Sequence, residues 1–446
     1  MSIFPQIDPR PVRRLLEPFA RFVQMESSSS IVLLLATIAA LFLANSRFAP
    51  AYEAFLHLPL GASAGSASFQ WTLHDWVNDA LMAVFFLLVG LEVKRELLIG
   101  ELASARRAFL PVLAALGGVI TPALIYYALN VHGPEARGWG IPVATDIAFS
   151  LAVLKLFGSK VPLGLKIFLA SLAIVDDIAG VLIIAVAYTR QLQLWYLALV
   201  VLLFLVCLLL NRLGVARLSV YMVVGIALWW AFRSSGLHPT LAGILLALAI
   251  PSRTFIPASS FLDRGRSRLQ QFEEAVAVSG PQGRDVREPL HKLRIGLQRA
   301  ESPLDRLQSS LLPWVSFGIV PLFALVNAGI SLHSFHSATV LHPAFLGIFL
   351  GLVLGKPLGI TVFSWLAVRL RFAELPPEVR WIDLHAVAWL GGIGFTVSIF
   401  IAGLAFTTDE QYTVARIAVL AASTCAAAVG AVLLALTRSR VRNAPL

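Results

Sequence analysis

Charge is scarce in this sequence: 13% of its 446 residues are Asp, Glu, Lys or Arg, where a soluble domain carries about 25%. That shortage argues against a water-exposed globule. Cysteine is scarcer still, with only Cys207 and Cys425, both inside apolar runs. They read as small buried hydrophobes, so no disulfide framework and no cysteine metal site is expected. A cleavable signal pattern is also missing: Arg10, Arg13, Arg14 and Arg21 lead into the polar cluster Ser27 to Ser30 and then into a full-length apolar span.

What is abundant is apolar length. The chain is 58% hydrophobic with a mean hydropathy of +0.80, spread over repeated runs long enough to cross a bilayer, which takes roughly 20 helical residues. The fold class that follows is an all-α polytopic membrane protein of about twelve transmembrane helices, because only helices or closed barrels satisfy their backbone in lipid. The expected spans are 29–46, 73–93, 108–129, 138–154, 163–188, 192–211, 218–232, 237–251, 311–331, 345–368, 382–405 and 412–436. On that division 29 of the 35 Lys and Arg residues fall on the side of the N-terminus. Arg47, Arg137, Arg190, Arg233 and Arg416 fall opposite, and Lys356 belongs to neither side. By the positive-inside rule both termini are cytoplasmic, and the net charge of +10 is an orientation signal rather than a nucleic-acid footprint.

The remaining segments divide accordingly. Residues 1–28 form a cytoplasmic N-terminal arm, whose Leu15, Leu16, Phe19, Phe22 and Val23 between arginines fit an amphipathic helix on the leaflet. Spans one to eight occupy 29–251, with an external loop at 55–72 whose Gly, Ser and Ala content suits either a hairpin or an irregular loop. As a hairpin, its edge offers a pairing surface to a second copy of the chain, hence a homodimer. Residues 252–310 form a charged cytoplasmic loop in which Leu290, Leu293 and Leu297 make an apolar stripe. Spans nine to twelve occupy 311–436, and 437–446 form a cytoplasmic tail.

Against this apolar background, a few ionisable residues stand out. Asp176 and Asp177 sit mid-span in the fifth run, where one Asp costs about 2.5–3.5 kcal/mol to insert. Such a pair is either an ion or proton site facing the protein interior or an ion pair that fixes packing. Span four is interrupted by Gly138, Gly140 and Pro142 just before Thr145 and Asp146. A carboxylate, a hydroxyl and carbonyls freed by the break are the hard-oxygen set a small cation prefers. Lys356 lies mid-span in the tenth run, too deep to snorkel, and needs a carboxylate partner. Span eleven is the second broken one, at Gly391 and Gly394, although glycines there also serve close packing. Spans three to five and ten to twelve are thus triplets with interrupted middle helices, starting from opposite sides. That is the pattern of inverted-topology repeats with a site at the midplane. At the end of span two, Glu92, Arg95 and Glu96 share a helix face; they read as a solvated helix end or as a charged mouth to an ion path. His238 near an outer helix start reads as a hydrogen-bonded structural histidine.

The motifs ALMAVFFLLVGLEVKREL (80–97), ATDIAFSL (144–151), PLGLKIFLASLAIVDDIAG (162–180), PLFALVNAG (321–329), GKPLGI (355–360) and GIGFTVSIFIA (392–402) resemble the bacterial sodium/proton antiporters of the NhaA type. The resemblance covers about 28–251 and 306–440 and implies exchange of cytoplasmic Na+ or Li+ for external H+ in the bacterial inner membrane, with no cofactor. It implies that Asp177 is the central cation ligand, Asp176 its neighbour matched to Lys356, and Thr145 and Asp146 part of the break in the fourth helix. Glu92, Arg95 and Glu96 match a cytoplasmic funnel cluster that the family links to activation at alkaline pH. At Gln308, Ser309 and Leu312 the chain departs from a pattern that carries an acid and histidines, so part of that pH-sensing set is absent. A sodium-coupled solute symporter of similar architecture and, more remotely, an intramembrane aspartyl protease remain open; a buried lysine opposite the acids favours proton exchange.

Overall fold

The computed structural model describes residues 28–64, 67–158, 161–189, 192–253, 258–280, 287–289, 291–292, 301–331 and 336–442. Residues 1–27 of the expected amphipathic arm, the Leu290, Leu293 and Leu297 stripe and residues 443–446 of the tail lie outside the described residues. The chain is an all-α membrane protein. Among the described residues eight helices are long and apolar enough to cross a membrane, or ten if each of two bent pairs is one crossing.

In chain order the helices are α1 (Ser28–Ala44), α2 (Ala49–Leu56), α3 (Leu73–Ile99), α4 (Ala105–Asn130), α5 (Ile147–Lys155), α6 (Leu163–Ala187), α7 (Leu194–Arg212) and α8 (Leu218–Ser235). They continue as α9 (Leu241–Ala249), α10 (Ala258–Ser279), α11 (Pro303–Asn327), α12 (Pro343–Arg369), α13 (Trp381–Gly391), α14 (Phe395–Ala405) and α15 (Asp409–Arg442). A 3₁₀ segment, Pro134–Val143, precedes α5. Each of the twelve expected spans contains helix, with altered ends, but α5 and α9, nine residues each, are too short to count among the eight to ten crossings, and span four is non-helical at 144–146. Span eight shrinks to the nine residues of α9, about 14 Å of rise, because Pro239 and Pro251 bracket it. Span nine begins at Pro303, not 311, since Ser302 caps it by accepting the Asp305 N–H at 3.1 Å. Residues 59–72 are a hairpin, β1 (Pro59–Ala64) paired antiparallel with β2 (Ala67–Thr72), Leu60 facing Trp71 and Gly61 facing Gln70.

The described residues form two compact units. One holds residues 28–78, 104–187 and 316–442; the other holds 79–103 and 188–315. In the second, α3 and α9 pack backbone to backbone: a Cβ on Gly243 would stand 2.2 Å from the Ala83 carbonyl oxygen. The first unit uses the same device where α4 crosses α12. A Cβ on Gly117 would stand 2.2 Å from the Gly359 oxygen, and one on Gly359 would stand 2.1 Å from the Gly117 oxygen. Without a hydrophobic drive between helices in lipid, such close approach is what makes a contact favourable. It fixes the height of Lys356, three residues before Gly359 on α12. A single wide turn, Gly351–Gly355, lies just before Lys356 and Pro357; proline cannot donate to the preceding turn, and a π-type turn absorbs the defect.

Candidate functional site

All of the buried ionisable residues singled out at the midplane belong to the first unit. Lys356 Nζ lies 2.6 Å from Asp176 Oδ2, and both side chains are fully buried. The same ammonium donates to Thr145 Oγ1. The Thr145 hydroxyl has one proton, within reach of both Asp176 Oδ2 at 2.7 Å and the Gly391 carbonyl at 2.8 Å. One side chain from each of three separate elements therefore meets at a point. Asp176 Oδ1 is buried with no hydrogen-bond partner among the described residues, a costly condition for a carboxylate oxygen in a dry site. Asp177, about 100° further round the helix, is 9% exposed against 1% for Asp176 and 0% for Lys356. It is the more accessible of the two acids.

The two helix breaks satisfy each other. Extended residues 144–146 run past the gap between α13 and α14. Three carbonyls freed at the end of α13 are taken: Leu390 accepts from Ser150 Oγ at 2.7 Å, Gly391 from Thr145, and Ile393 from the Asp146 N–H at 2.6 Å. In return, Ser398 Oγ of α14 donates to the Ile141 carbonyl at 2.8 Å. Asp146 joins the two helix starts. Its Oδ1 accepts the Phe149 N–H at 3.1 Å, capping α5, and its Oδ2 accepts the Thr396 N–H at 3.1 Å and the Thr396 hydroxyl at 2.5 Å. A carboxylate between two helix N-termini is favoured by both dipoles. Pairing of this kind is what allows non-helical chain at that depth.

Pro142 is buried in the 3₁₀ segment, and Gly391 and Gly394 flank the second break. The tightest glycine requirement, though, is at Gly392, where a Cβ would stand 2.5 Å from the Leu352 carbonyl oxygen of α12. Thr396 and Ser150 are the polar residues that sequence reasoning passed over. The available signal for Thr396 was its place directly after a glycine-rich break, where a helix start wants a polar side chain.

Glu92, Arg95 and Glu96 lie in the second unit. Arg95 Nε stands 3.6 Å from Asp305 Oδ1 on α11, both half exposed, and Glu96 Oε1 accepts the Glu101 N–H at 2.7 Å. Between them, Lys94 caps α9, donating to the carbonyls of Leu248 at 2.7 Å and of Ile250. His238 is hydrogen-bonded: its Nδ1 is 2.8 Å from Thr240 Oγ1, while Nε2 stands 3.8 Å from Asp79 Oδ1. At the departing positions of α11, Gln308 Oε1 is buried with no hydrogen-bond partner among the described residues, and Ser309 Oγ donates to the Arg306 carbonyl.

Residues 20–434 match the family profile described as Na+/H+ antiporter 1. Similar proteins include the Na(+)/H(+) antiporter NhaA of Koribacter versatilis, 45% identical over 424 residues, 95% of this chain and 92% of that protein. The Na(+)/H(+) antiporter NhaA of Oleidesulfovibrio alaskensis is 44% identical over 421 residues, 94% of each chain. That of Bartonella henselae is 40% identical over 425 residues, 94% of this chain and 93% of that one.

Proposed function

The chain belongs to the Na+/H+ antiporter 1 family and is a Na+/H+ exchanger rather than an enzyme, and we propose that sodium and protons compete at Asp177 and Asp176 with Lys356 as counter-charge. The observation that carries this reading is the buried Lys356–Asp176 pair at 2.6 Å beside a carboxylate oxygen without a partner. In the proton-loaded form Asp176 is held by Lys356⁺ and Asp177 carries a proton. A sodium ion arriving at Asp177 is offered its oxygens, the open Asp176 Oδ1 and the Thr145 hydroxyl, the hard donors sodium prefers. The added positive charge expels the Asp177 proton and weakens the hold on the Lys356 proton, so the titration belongs to the group rather than to one residue. Two protons against one cation make exchange electrogenic, drawing about 2.3 kcal/mol per charge per 100 mV of membrane potential.

Asp146 serves this site from one step away, holding the starts of α5 and α14 so that Thr145, seated on the Gly391 carbonyl, meets Asp176. Pro142, Gly391 and Gly394 keep the backbone open at that place. Lithium, small and hard like sodium, is the second cargo. The Lys and Arg asymmetry supports both termini in the cytoplasm of a bacterial inner membrane, with Na+ leaving and H+ entering. Glu92, Arg95 and Glu96 are read as the charged cytoplasmic approach and part of the pH response. The two-stranded hairpin Pro59–Thr72 has open edges among the described residues, which supports a homodimer built by strand addition.

The test is an exchange assay. Everted membrane vesicles with an imposed pH gradient and a ΔpH-sensitive dye are given NaCl, LiCl or KCl. Sodium and lithium collapse the gradient and potassium does not; a response to no cation at any pH would return the site to the symporter reading.

A further inference from the structure

A second chain of hydrogen bonds leads from α13 to the residue next to Lys356. The Trp389 indole N–H donates to His385 Nε2 at 3.1 Å. His385 Nδ1 lies 2.8 Å from Thr361 Oγ1, and Thr361 Oγ1 donates to the Pro357 carbonyl at 2.7 Å. The direction of every bond follows from the ends. Indole nitrogen is a donor only, so Nε2 must accept and the ring proton sits on Nδ1. That N–H donates to Thr361, whose own proton is used on Pro357. Every donor and acceptor in the chain is used once, and only a neutral imidazole permits it.

We infer that His385 is a positioning residue for exchange, whose neutral ring ties the first half of the broken span, α13, to the helix that carries Lys356, and whose protonation releases that tie. The inference rests on the reading of Asp176, Asp177 and Lys356 as the exchange site. Its mechanical sense comes from α13 itself, which ends in the Gly391 carbonyl that receives Thr145. A protonated ring has two N–H donors. Its Nε2–H would then face the Trp389 N–H at 3.1 Å, donor against donor, so the indole or the ring must turn away and Nδ1–H is no longer aimed at Thr361. It would also place a second cation beside α12. Exchange is therefore supported while the ring is neutral and lost as the pH falls through its titration. The chain has this device although Gln308, Ser309 and Leu312 occupy positions where a pH-sensing acid and histidines are expected.

The charged groups on neighbouring elements do not supply an alternative partner. The helices packed against α13 are α12, α6, α5 and α15. At midplane they carry Lys356, Asp176 and Asp177, and toward the cytoplasmic ends Arg369, Lys166 and Lys155. Helix α15 has Asp409, Glu410 and Arg416 at its start and no charge from there to Arg438; α13 itself has Asp383, which is bonded to Arg380. Among the described residues none forms an ion pair with the imidazole, whose partners are Thr361 and Trp389. Its protonation is governed by those two bonds and by burial.

The experiment compares pH profiles of sodium-driven exchange for the full-length protein in liposomes, from about pH 6 to 9 to bracket an imidazole. His385→Gln keeps one donor and one acceptor but does not titrate; its acid-side loss of activity moves to lower pH or vanishes. Trp389→Phe removes the bond that only the neutral ring accepts, so its loss of activity moves to higher pH, by about half to one unit, the value of one hydrogen bond. Profiles that overlie wild type, or that move in the same direction in both variants, overturn the proposal. Histidine-selective ¹⁵N spectra test the ring directly. At alkaline pH one signal pair, absent in His385→Gln, reports Nδ1–H with bare Nε2; an Nε2–H or doubly protonated ring there contradicts it. Asp177→Asn is run alongside: exchange surviving in that variant means the reading of the site has failed, whatever the His385 profiles show.

Discussion

Asp146 and Asp176 are both buried carboxylates beside a broken helix, and they are bonded in opposite ways. Asp146 spends both oxygens on three donors of the protein itself, one at the start of α5 and two on Thr396 of α14. Asp176 gives one oxygen to Lys356 and Thr145 and keeps the other without a partner. A carboxylate whose bonds are complete holds the backbone; one with an open oxygen beside a second acid can change partners. Charge and depth look alike at the two positions, so the distinction between a scaffold and the proposed exchange site lies in the hydrogen-bond accounting.

The largest expected effects separate these two roles. Asp177→Asn should abolish sodium-dependent exchange with the melting temperature unchanged. Asp146→Ala should cost about 1–3 kcal/mol of stability for the orphaned donors, read as a lower melting temperature, and lose exchange only as the break loosens. An Asp146→Ala protein as stable as wild type would erase the contrast. Next comes the counter-charge. Lys356→Ala leaves Asp176 buried and unpaired and should destabilise by about 3–5 kcal/mol. Asp176→Asn combined with Lys356→Met removes both charges and should recover much of that loss while remaining inactive; no recovery would mean the two residues are not coupled. The smallest effect is at the surface of the second unit. Arg95→Ala should change stability by less than about 1 kcal/mol, because its contact with Asp305 at 3.6 Å is half exposed, so any change in the pH profile of that variant reports on function rather than fold.

Much of this was legible in the sequence because lipid makes charge expensive. Asp176, Asp177 and Lys356 announce themselves by sitting mid-span, and Pro142 and the Gly391–Gly394 stretch mark the breaks by chemistry that helices reject. Hydropathy was blind to the rest. It began span nine only at 311 because Asp305 and Arg306 are charged, although Ser302 with Asp305 three residues later is a capping signal. It gave no sign that Asp146 also caps α14, a bond that joins residues 250 positions apart and that no local pattern records. Helical spacing put Arg95 on one face with Glu92 but gave no sign of its further contact with Asp305 of another helix. Nor did any periodicity link His385 with Thr361.

Competition is the central claim, and it is tested by measuring the apparent sodium affinity of the purified protein as a function of pH, together with the protons released when sodium is added. Competition at titrating carboxylates predicts that affinity weakens about ten- to a hundredfold for each unit of acidification, with one or two protons released per ion, and that Asp177→Asn releases none. A sodium affinity independent of pH, or binding without proton release, would contradict it.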